Sequence, residues 1–491
     1  MIPITSIETA VQSSSLMNDI LDLQSVIILF FMAMVLLIAE AVAKGQDRWN
    51  TAALTSLPIL ASIALALTSD GPTTIFSGMV AVDAYGQFFS IMFGIAALFV
   101  VLMSPDYLKK INVEIGEYYA LILFSLMGMI LMATANDLML MFVALEIMSI
   151  AMYILAAIRR DNPKSVESGF KYFILGAFSS AIFLYGIAFV FGATGTTNLV
   201  EIGNVVAGGE AGSTLLVGMG LMLVGFAFKI GSVPFHMWVP DVYEGAPTTV
   251  TALMATGVKA ASFAAFGRVL LTAFPAISEE WVCVVWVISA ATMLLGNVAA
   301  LVQNDLKRML AFSSVGHAGF ALMALVAFDG AHAMLFYLFG YTFMTMGAFA
   351  ILGMIDGEEG GTDISRLNGL ASKHPWLAAG LSLVLLSLAG IPPTIGFIGK
   401  FSLFVAAVNG GFVVLAVIGA ISGAIGVYYY LRPIIAMYMK EAEGVATVTP
   451  SRAGAVVLGI ACAVIVLFGV LPELIMPMCR EGIAVLIGVA S

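Results

Sequence analysis

The chain of 491 residues is too apolar to be a soluble protein, because 61% of its residues are hydrophobic and only 10% are charged. Soluble globular domains carry roughly 25% charged residues, so lipid must contact most of this surface. A net charge of −10 with no basic stripe argues against nucleic acid as a partner. The cysteines Cys283, Cys462 and Cys479 are too scattered to form a thiolate metal or iron–sulfur site.

The N-terminus lacks the features of a secretory signal. Residues 1–21 contain no lysine or arginine, whereas a signal peptide begins with a positively charged segment. The first long apolar segment, near 23–43, has the length of a spanning helix. We therefore predict that this segment crosses the membrane and is retained.

Apolar segments of about 20 residues, the length that crosses a bilayer, recur along the whole chain. Their continuity excludes a β-barrel, whose strands alternate in polarity over about ten residues. The sequence thus predicts an all-α polytopic membrane protein with about fourteen transmembrane helices. These lie near 23–43, 50–68, 82–104, 116–135, 137–158, 166–192, 213–237, 247–273, 281–302, 309–328, 331–355, 376–407, 412–439 and 452–474.

Lysine and arginine occur in alternate loops between these segments. Because positively charged loops stay in the cytoplasm, both termini are predicted to lie in the periplasm of a bacterial inner membrane. The loops without lysine or arginine are those near 69–81, 193–212, 275–280, 329–330 and 408–411. The basic loop residues are Lys44, Arg48, Lys109, Lys110, Arg159, Arg160, Lys164, Lys307, Arg308, Arg366, Lys373, Lys440 and Arg452.

Several charged residues lie inside the predicted spans rather than between them. A buried charge costs at least ~2.5–3.5 kcal/mol on insertion scales and is normally paired or placed on a water-filled path. Burial favours the neutral form of a lysine, and a nearby carboxylate favours the charged form. A buried lysine with a switchable partner can therefore load and release a proton. The candidates for this proton translocation are Glu146, Lys171, Lys229, Lys259 and Lys400.

The depth of each charged residue in its span indicates whether it has a functional role or only extends to the membrane interface. Glu146 and Lys259 lie too deep in their spans to reach an interface, which favours a functional role. Lys171 lies about five residues into its span and could instead extend to the cytoplasmic interface. Arg268 and Arg432 lie near span ends, where anchoring at the interface is the preferred interpretation.

Two spans are interrupted by glycine and proline beside a lysine. The first break, near 231–234, follows Lys229, and the second, near 390–396, precedes Lys400. Proline deletes a helix hydrogen bond, and freed backbone groups at membrane depth are tolerated only inside protein or facing water. Interrupted spans in two halves of a chain indicate inverted repeats around an ion site. Ordinary kinked helices are the alternative.

The two predicted repeats, each containing one break, divide the chain into four segments. Each repeat contains five spans, and an odd number of spans inverts the second repeat relative to the first. The segments are a three-helix N-terminal part at 1–115, a first repeat at 116–273, a second at 281–439, and a C-terminal helix and tail at 440–491.

Histidines offer a second set of titratable groups inside the membrane. His317 lies within a span, His236 follows Lys229 by seven residues, and His332 lies near the start of a span. Histidine titrates near pH ~6.5 and can relay protons, although a hydrogen-bonded structural histidine is the alternative for each. Four scattered histidines show no metal-ligand spacing, so no metal site is predicted.

Aspartates near helix starts are given a structural role. Asp137 is predicted to cap a helix at the membrane interface, and a solvated cap is the preferred reading of Asp241. The sequence contains no Walker A loop, GxGxxG motif or haem attachment motif. The energy for ion movement would therefore come from another ion gradient or from partner subunits.

Three segments resemble the antiporter-like membrane subunits of proton-pumping NADH:quinone oxidoreductase, respiratory complex I. These are FKIGSVPFHMWVPDVYEGAPTTVTALMATGVKAASF at 228–263, DLKRMLAFSSVGHAGF at 305–320 and LAGIPPTIGFIGKF at 388–401. The DVYEGAPT motif resembles the subunit N branch, which includes mitochondrial subunit ND two. Lys400 is a lysine as in subunits N and L, whereas subunit M has a glutamate there. The resemblance implies a membrane-arm subunit that helps couple electron transfer from NADH to quinone to proton translocation.

The resemblance also implies roles for individual residues. Glu146 matches a glutamate at the boundary with a neighbouring subunit, and Lys171 a lysine that can pair with it. Lys229 and Lys259 match the seventh- and eighth-span lysines, and Lys400 the terminal lysine facing the outer exit. His236 matches a histidine near Lys229, and His317 matches a polar relay residue of the tenth span.

The same resemblance implies that no redox site lies on this chain. FMN, iron–sulfur clusters and quinone are expected on partner subunits, and the partners are other antiporter-like and small transmembrane subunits of the membrane arm. Two alternatives are open from the sequence. The first is a subunit of a multisubunit Na⁺/H⁺ antiporter, and the second is a structural spacer with permanently paired lysines.

Overall fold

The computed structural model describes residues 16–42, 48–68, 71–113, 115–209, 212–327, 330–356, 361–441 and 450–488. Thirteen helices in these ranges are long and apolar enough to cross a membrane. Two shorter apolar helices, Pro375–Ala389 and Ile395–Asn409, occupy the place of one further predicted span. The predicted all-α polytopic fold class is therefore confirmed. Lys44 and both chain ends lie outside the described residues.

The helices follow the predicted spans closely, with ends that differ by a few residues. In chain order they are α1 Gln24–Val42, α2 Arg48–Thr68, α3 Ala84–Lys110, α4 Glu117–Thr134, α5 Leu138–Ala156, α6 Pro163–Thr194, α7 Leu199–Ala207, α8 Ser213–Ile230, α9 Trp238–Gly245, α10 Thr248–Ala273, α11 Ser278–Leu301, α12 Leu306–Val326, α13 His332–Ile355, α14 Pro375–Ala389, α15 Ile395–Asn409, α16 Val413–Met439, α17 Arg452–Val470 and α18 Met476–Leu486.

Small elements occur where the apolar pattern predicted only loops or a tail. Strand β1 at Thr73–Ile75 pairs antiparallel with β2 at Val80–Val82. The short helix α7 lies in the loop near 193–212. Helix α18 forms in the predicted C-terminal tail and packs against α3 and α13. Their short lengths leave no span-sized apolar signal, so hydropathy alone could not detect them.

The centre of the molecule is formed by α10, α12 and α13, which are buried along almost their whole length. By contrast, most residues of α1, α2 and α6 are not buried within the chain, as expected of helices that contact lipid or neighbouring subunits. Lys259 of α10 and His317 of α12 therefore lie in the protein interior rather than facing lipid. Asp137 accepts hydrogen bonds from the first-turn amides of α5, which confirms the predicted cap.

Both predicted helix breaks are present. Helix α8 ends at Gly231, which has φ +73°, and the chain runs irregularly to α9. Helix α14 ends at Gly390, which has φ +88°, and α15 begins five residues later. Left-handed backbone of this kind favours glycine because a side chain would clash with the next carbonyl.

Helix α10 departs from α-helical geometry on both sides of its central segment. A π-helical turn at Met254–Val258 precedes Lys259, and another at Val269–Ala273 follows Arg268. Such turns are rare and occur frequently at functional sites. The spans thus carry irregular backbone beside each of the three central lysines, Lys229, Lys259 and Lys400.

Candidate functional site

Lys229 lies in the last turn of α8, beside the first break, and is almost completely buried. Its ammonium donates hydrogen bonds to the hydroxyls of Ser149 at 2.7 Å and Tyr153 at 3.2 Å, both on α5. The same nitrogen lies 5.4 Å from the centre of the Tyr153 ring, which adds a favourable cation–π interaction. Among the described residues, no carboxylate lies within ion-pair distance of Lys229.

Glu146 lies on the same face of α5 as the residues that bind Lys229. Ser149 and Tyr153 follow it by three and seven positions, which places all three side chains in one row on the helix. Its Oε1 is buried and has no hydrogen-bond partner in the described part of the chain. A buried, unpartnered carboxylate oxygen is costly, so Glu146 has an oxygen available to bind a cation.

Lys171 does not contact Glu146 in this structure. Its ammonium forms ion pairs with Glu167 at 2.6 Å and Asp241 at 2.7 Å, and its side chain is 37% exposed. The pairing with Glu146 that the family resemblance implied is thus absent. Lys171 instead joins α6 to α9 near the basic end of the bundle, with the partial exposure expected for an interfacial lysine.

Asp241 belongs to a charge cluster and is not the solvated helix cap that was predicted. Arg308 of α12 donates to Asp241 at 3.0 Å and to Glu244 at 2.7 Å, and Lys164 donates to Glu244 at 2.7 Å. Burial alone would raise the pKa of Asp241, but the hydrogen bonds from Lys171 and Arg308 lower it. The cluster fixes α9, after the first break, between α6 and α12.

Lys259 is buried in α10 directly after a π-helical turn. Its ammonium donates to the backbone carbonyl of Ser314 at 2.6 Å and also to the Ser314 hydroxyl. Tyr243 and Tyr341 lie against the same Ser314 side chain. A lysine bound only to neutral groups can lose its proton without leaving a broken ion pair behind.

His317 follows Ser314 by three residues on α12 and bonds through both ring nitrogens. Nδ1 lies 2.6 Å from the hydroxyl of Tyr337, and Nε2 lies 2.9 Å from that of Tyr430. Tyr430 also shares a hydrogen bond with Ser313. Hydroxyl groups donate and accept, so either ring nitrogen can carry the proton and this arrangement suits a relay.

Lys400 lies on α15 and binds the end of α14 across the second break. Its ammonium donates to the carbonyls of Leu388 at 2.9 Å and Ala389 at 3.0 Å. These carbonyls are the ones that a helix end leaves without partners, and the helix dipole there favours a cation. The Lys400 nitrogen also lies 5.1 Å from the centre of the Phe320 ring.

Helix α12 connects these contacts. Ser314, His317 and Phe320 are spaced three residues apart on one face, and they contact Lys259, the two tyrosines and Lys400 in turn. The structure thus brings Lys259, His317 and Lys400 into one continuous set of contacts, while Lys229 and Glu146 form a second group on α5 and α8.

The two other predicted histidines lie outside this arrangement. His236 is half-buried in the irregular segment after the first break, and the hydrogen bonds of Lys229 go to α5 rather than to it. His332 lies at the start of α13 on the wall of a cavity of about 840 Å³, which is also lined by Glu279 and Glu473. The hydrogen bonds of the α12 row go to Lys259, Tyr337 and Tyr430.

Sequence reasoning missed the neutral partners of the buried lysines. Ser149 and Ser314 could have been found from their helical spacing to Glu146 and His317. Tyr337 and Tyr430 come from other spans, and no local signal in the sequence connects them with His317. The site is built mainly from hydroxyls, which an inventory of charged residues does not detect.

Two buried basic residues were interpreted wrongly from the sequence. Arg268 is not an interface anchor, because its guanidinium is buried and binds Asp83 in two hydrogen bonds of 2.7 and 2.8 Å. Lys307 is not a loop residue, because α12 begins three residues earlier than predicted. Its ammonium is buried and donates to the Ala246 carbonyl. Arg432 donates to the carbonyl of Leu301, the last residue of α11, and to that of Gln303 in the following loop.

Comparison with known proteins identifies the family. A family model for the transmembrane region of NADH:quinone oxidoreductase and Mrp antiporter subunits matches residues 135–426. NADH-quinone oxidoreductase subunit N of Trichlorobacter lovleyi is 44% identical over 467 residues, which cover 93% of this chain and 95% of that protein. The chain belongs to the subunit N family. Subunit N of Myxococcus xanthus is 39% identical over 498 residues, which cover 93% and 96% of the two chains.

Solved structures agree with membership of the subunit N family. A chain of respiratory complex I from Thermus thermophilus with bound aureothin superposes with a TM-score of 0.81 at 33% identity, covering 93% of this chain and all of that one. A chain of the Mrp complex from Dietzia sp. DQ12-45-1b superposes at 0.84, with 95% and 98% coverage, but at 21% identity it shows the shared fold alone. The resemblance stated from the sequence motifs is thus confirmed.

Proposed function

We propose that Lys229, Lys259, His317 and Lys400 carry protons through this subunit. The observation that supports this most strongly is the face of α12, where His317 lies between the contact to Lys259 and the contact to Lys400. Each proton acceptor is buried and bound by neutral groups, so protonation and deprotonation do not break an ion pair. Hydroxyls beside Lys229, Lys259 and His317 provide donors and acceptors for proton transfer.

Glu146 is proposed to control the first of these lysines. Its unpartnered oxygen lies on the same face of α5 as Ser149, which holds the Lys229 ammonium. A charged Lys229 that moves towards Glu146 gains an ion pair, and a neutral Lys229 does not. Lys171 and His236 are assigned to the basic end, where Lys171 already links α6 to α9 through Asp241.

Members of the subunit N family belong to a proton-translocating NADH:quinone oxidoreductase, and this chain is one of its multi-pass membrane-arm subunits. Its partners are other membrane-arm subunits of that complex. We further propose that the redox cofactors FMN, iron–sulfur clusters and quinone are bound by those partners. This chain would then receive the free energy of electron transfer as a change in charge at its boundary, where Glu146 lies.

The orientation and the repeat boundaries are part of the same proposal. The alternation of basic loops supports periplasmic termini, with Lys110 and Lys307 at helix ends and Arg159 in a loop on the cytoplasmic side. Two broken helices, each beside a lysine, support inverted repeats at 116–273 and 281–439. Under this arrangement Lys400 faces the periplasmic half of the pathway.

Lysine substitutions in the assembled complex test the proposal. We expect Lys229→Ala and Lys259→Ala to assemble normally and to lower NADH-driven proton translocation in sealed membrane vesicles. The matched control is Lys373→Ala, because Lys373 is an exposed lysine away from the site. Native pumping in both variants would favour a structural spacer. Sodium/proton exchange without associated NADH dehydrogenase activity would favour a multisubunit antiporter.

A further inference from the structure

A buried carboxylate on the basic side of the bundle lies apart from the residues described above. Asp356 directly follows α13, and only 7% of its surface is exposed. Its Oδ2 accepts hydrogen bonds from the hydroxyls of Tyr107 at 2.8 Å and Thr248 at 2.6 Å. The Thr248 amide donates in turn to the Tyr107 hydroxyl at 2.9 Å. The carboxylate is therefore held by hydroxyl groups that can both donate and accept protons.

Cations surround Asp356 without forming an ion pair with it in the described residues. Lys307 and Lys110 bind the carbonyls of Ala246 and Met354 through their ammonium groups. Both act electrostatically on Asp356, as Arg159 does from the loop after α5. Burial alone would raise the pKa of Asp356, but the charge of Lys307 and the two hydroxyls lower it. The carboxylate is therefore deprotonated at rest and able to accept a proton.

A cavity of about 390 Å³ on the basic side reaches Tyr107, whose hydroxyl donates to this carboxylate. Its wall includes Asp106, Lys109 and Lys110 at the end of α3, together with Tyr107 and Thr249. The volume exceeds that of several water molecules, each of which occupies about 30 Å³ in the liquid. Tyr107 both lines the cavity and donates to Asp356, so water in the cavity is separated from the buried carboxylate by one hydroxyl side chain.

Lys307 connects the surroundings of Asp356 with the central row. It precedes Ser314 by seven residues on α12, a distance of about 10.5 Å along the same helix face. Tyr243 lies against Ser314. The hydroxyl of Thr251 donates to the Tyr243 carbonyl at 2.9 Å and lies 3.5 Å from the Ala246 carbonyl that binds Lys307. Groups with exchangeable protons therefore occupy the interval from Asp356 to the serine that holds Lys259.

We propose that Asp356, with Tyr107 and Lys307, is the site at which this subunit takes up protons from water on the cytoplasmic side. The inference rests on the proposed function and adds its uptake step. A hydronium ion in the cavity gives a proton to the Tyr107 hydroxyl, which releases its own proton to the Asp356 carboxylate. Asp356 then passes that proton through a water molecule to the neutral amine of Lys307, which becomes an ammonium. Lys307 releases the proton towards Lys259 through the hydroxyls beside Ser314.

The decisive variant is Asp356→Asn in the complete complex. The asparagine side chain has nearly the same size, and its oxygen still accepts the hydrogen bonds from Tyr107 and Thr248, so the structural role of the residue is kept. We expect NADH-driven proton uptake by inverted membrane vesicles to fall ~10-fold or more, as removal of a proton-transferring group does. The control Asp161→Asn removes an exposed carboxylate on the same side and should pump normally. Native pumping by Asp356→Asn would overturn the proposal.

A second variant decides the matter if Asp356→Asn does not assemble. Asp356→Glu keeps a titratable carboxyl but moves it by one methylene within the field of Lys307, Lys110 and Arg159. We expect a shifted pH profile of proton pumping, and an unchanged profile would overturn the proposal. Lys229→Ala in the same vesicles separates the two hypotheses. If Lys229→Ala pumps poorly while Asp356→Asn pumps normally, only the uptake site is disproved. If Lys229→Ala pumps normally, the proposed function itself is disproved.

Discussion

The ammonium of Lys259 binds Ser314 through both the backbone carbonyl and the side-chain hydroxyl of that residue. Ser314 therefore joins the centre of α10 to the face of α12 that carries His317. Because the carbonyl contact does not depend on the side chain, the structural and proton-carrying parts of this interaction can be separated by substitution.

Ser314→Ala should slow proton translocation without displacing Lys259. The carbonyl contact at 2.6 Å remains, while the hydroxyl that can pass a proton is lost. Removal of one hydrogen bond costs about 1 kcal/mol, which corresponds to about a fivefold decrease in rate. The rate of NADH-driven pumping measures this effect. Ser314→Thr, which keeps a hydroxyl, is the control, and equal rates in the two variants would contradict the prediction.

Gly231→Ala should destabilise the first break. The φ of Gly231 is +73°, and a Cβ there would lie 2.7 Å from Cγ2 of Val239. A non-glycine residue in this region costs roughly 1–2 kcal/mol from the backbone alone. We expect a lower melting temperature of the complex and reduced pumping, since Lys229 lies two residues before the break.

Gly220→Ala provides the matched comparison on the same helix. Gly220 lies within α8, and no atom would approach its Cβ within 4 Å. Alanine favours a helix by about 1 kcal/mol over glycine, so this variant should be at least as stable as the native chain. A Gly231→Ala variant that melts like Gly220→Ala would show that the left-handed backbone at the break is not required.

Local sequence features predicted the spans and the breaks because each depends on neighbouring residues. The lengths of the apolar segments predicted the ends of α10 and α12 to within a few residues. Glycine and proline predicted both helix breaks. The charge partners could not be predicted in this way. Lys171 binds Asp241, which is 70 residues away in sequence, and hydropathy does not show which helix faces meet.

Span boundaries caused the other errors. A three-residue error at the start of α12 placed Lys307 in a loop, although the structure buries it. The carboxylate of Asp356 was missed for a similar reason, since it lies one residue beyond α13. Residues at helix ends are assigned to solvent by hydropathy, yet here they are covered by neighbouring helices.

The ion pair between Lys171 and Asp241 should stabilise the subunit at neutral pH and be lost in acid. The hydrogen bonds that Lys171 and Arg308 donate to Asp241 lower the pKa of Asp241 below its unfolded value, which is ~3.9. A carboxyl with a lowered pKa contributes stability above the unfolded pKa and loses it as the pH falls through the folded pKa. The difference in melting temperature between the native complex and Asp241→Asn should thus be constant near neutral pH.

The same difference should decrease only below about pH 4, where Asp241 becomes protonated. Thermal melting of the purified complex over a pH series measures it. Asp161→Asn serves as the control, since Asp161 is exposed and lies outside the cluster. A difference that already disappears between neutral and mildly acidic pH would show that another group controls this contact.

The buried pair of Arg268 and Asp83 should be essential for assembly rather than for proton transfer. Arg268→Ala leaves the Asp83 carboxylate without its guanidinium partner, and breaking a buried ion pair costs about 3–5 kcal/mol. We expect the amount of subunit in the membrane to fall sharply. The double variant Asp83→Asn with Arg268→Met removes both charges and keeps an N-cap for α3, so it should recover much of the lost protein. Quantification of the subunit in purified membranes measures both effects, and a double variant no better than Arg268→Ala would contradict this account.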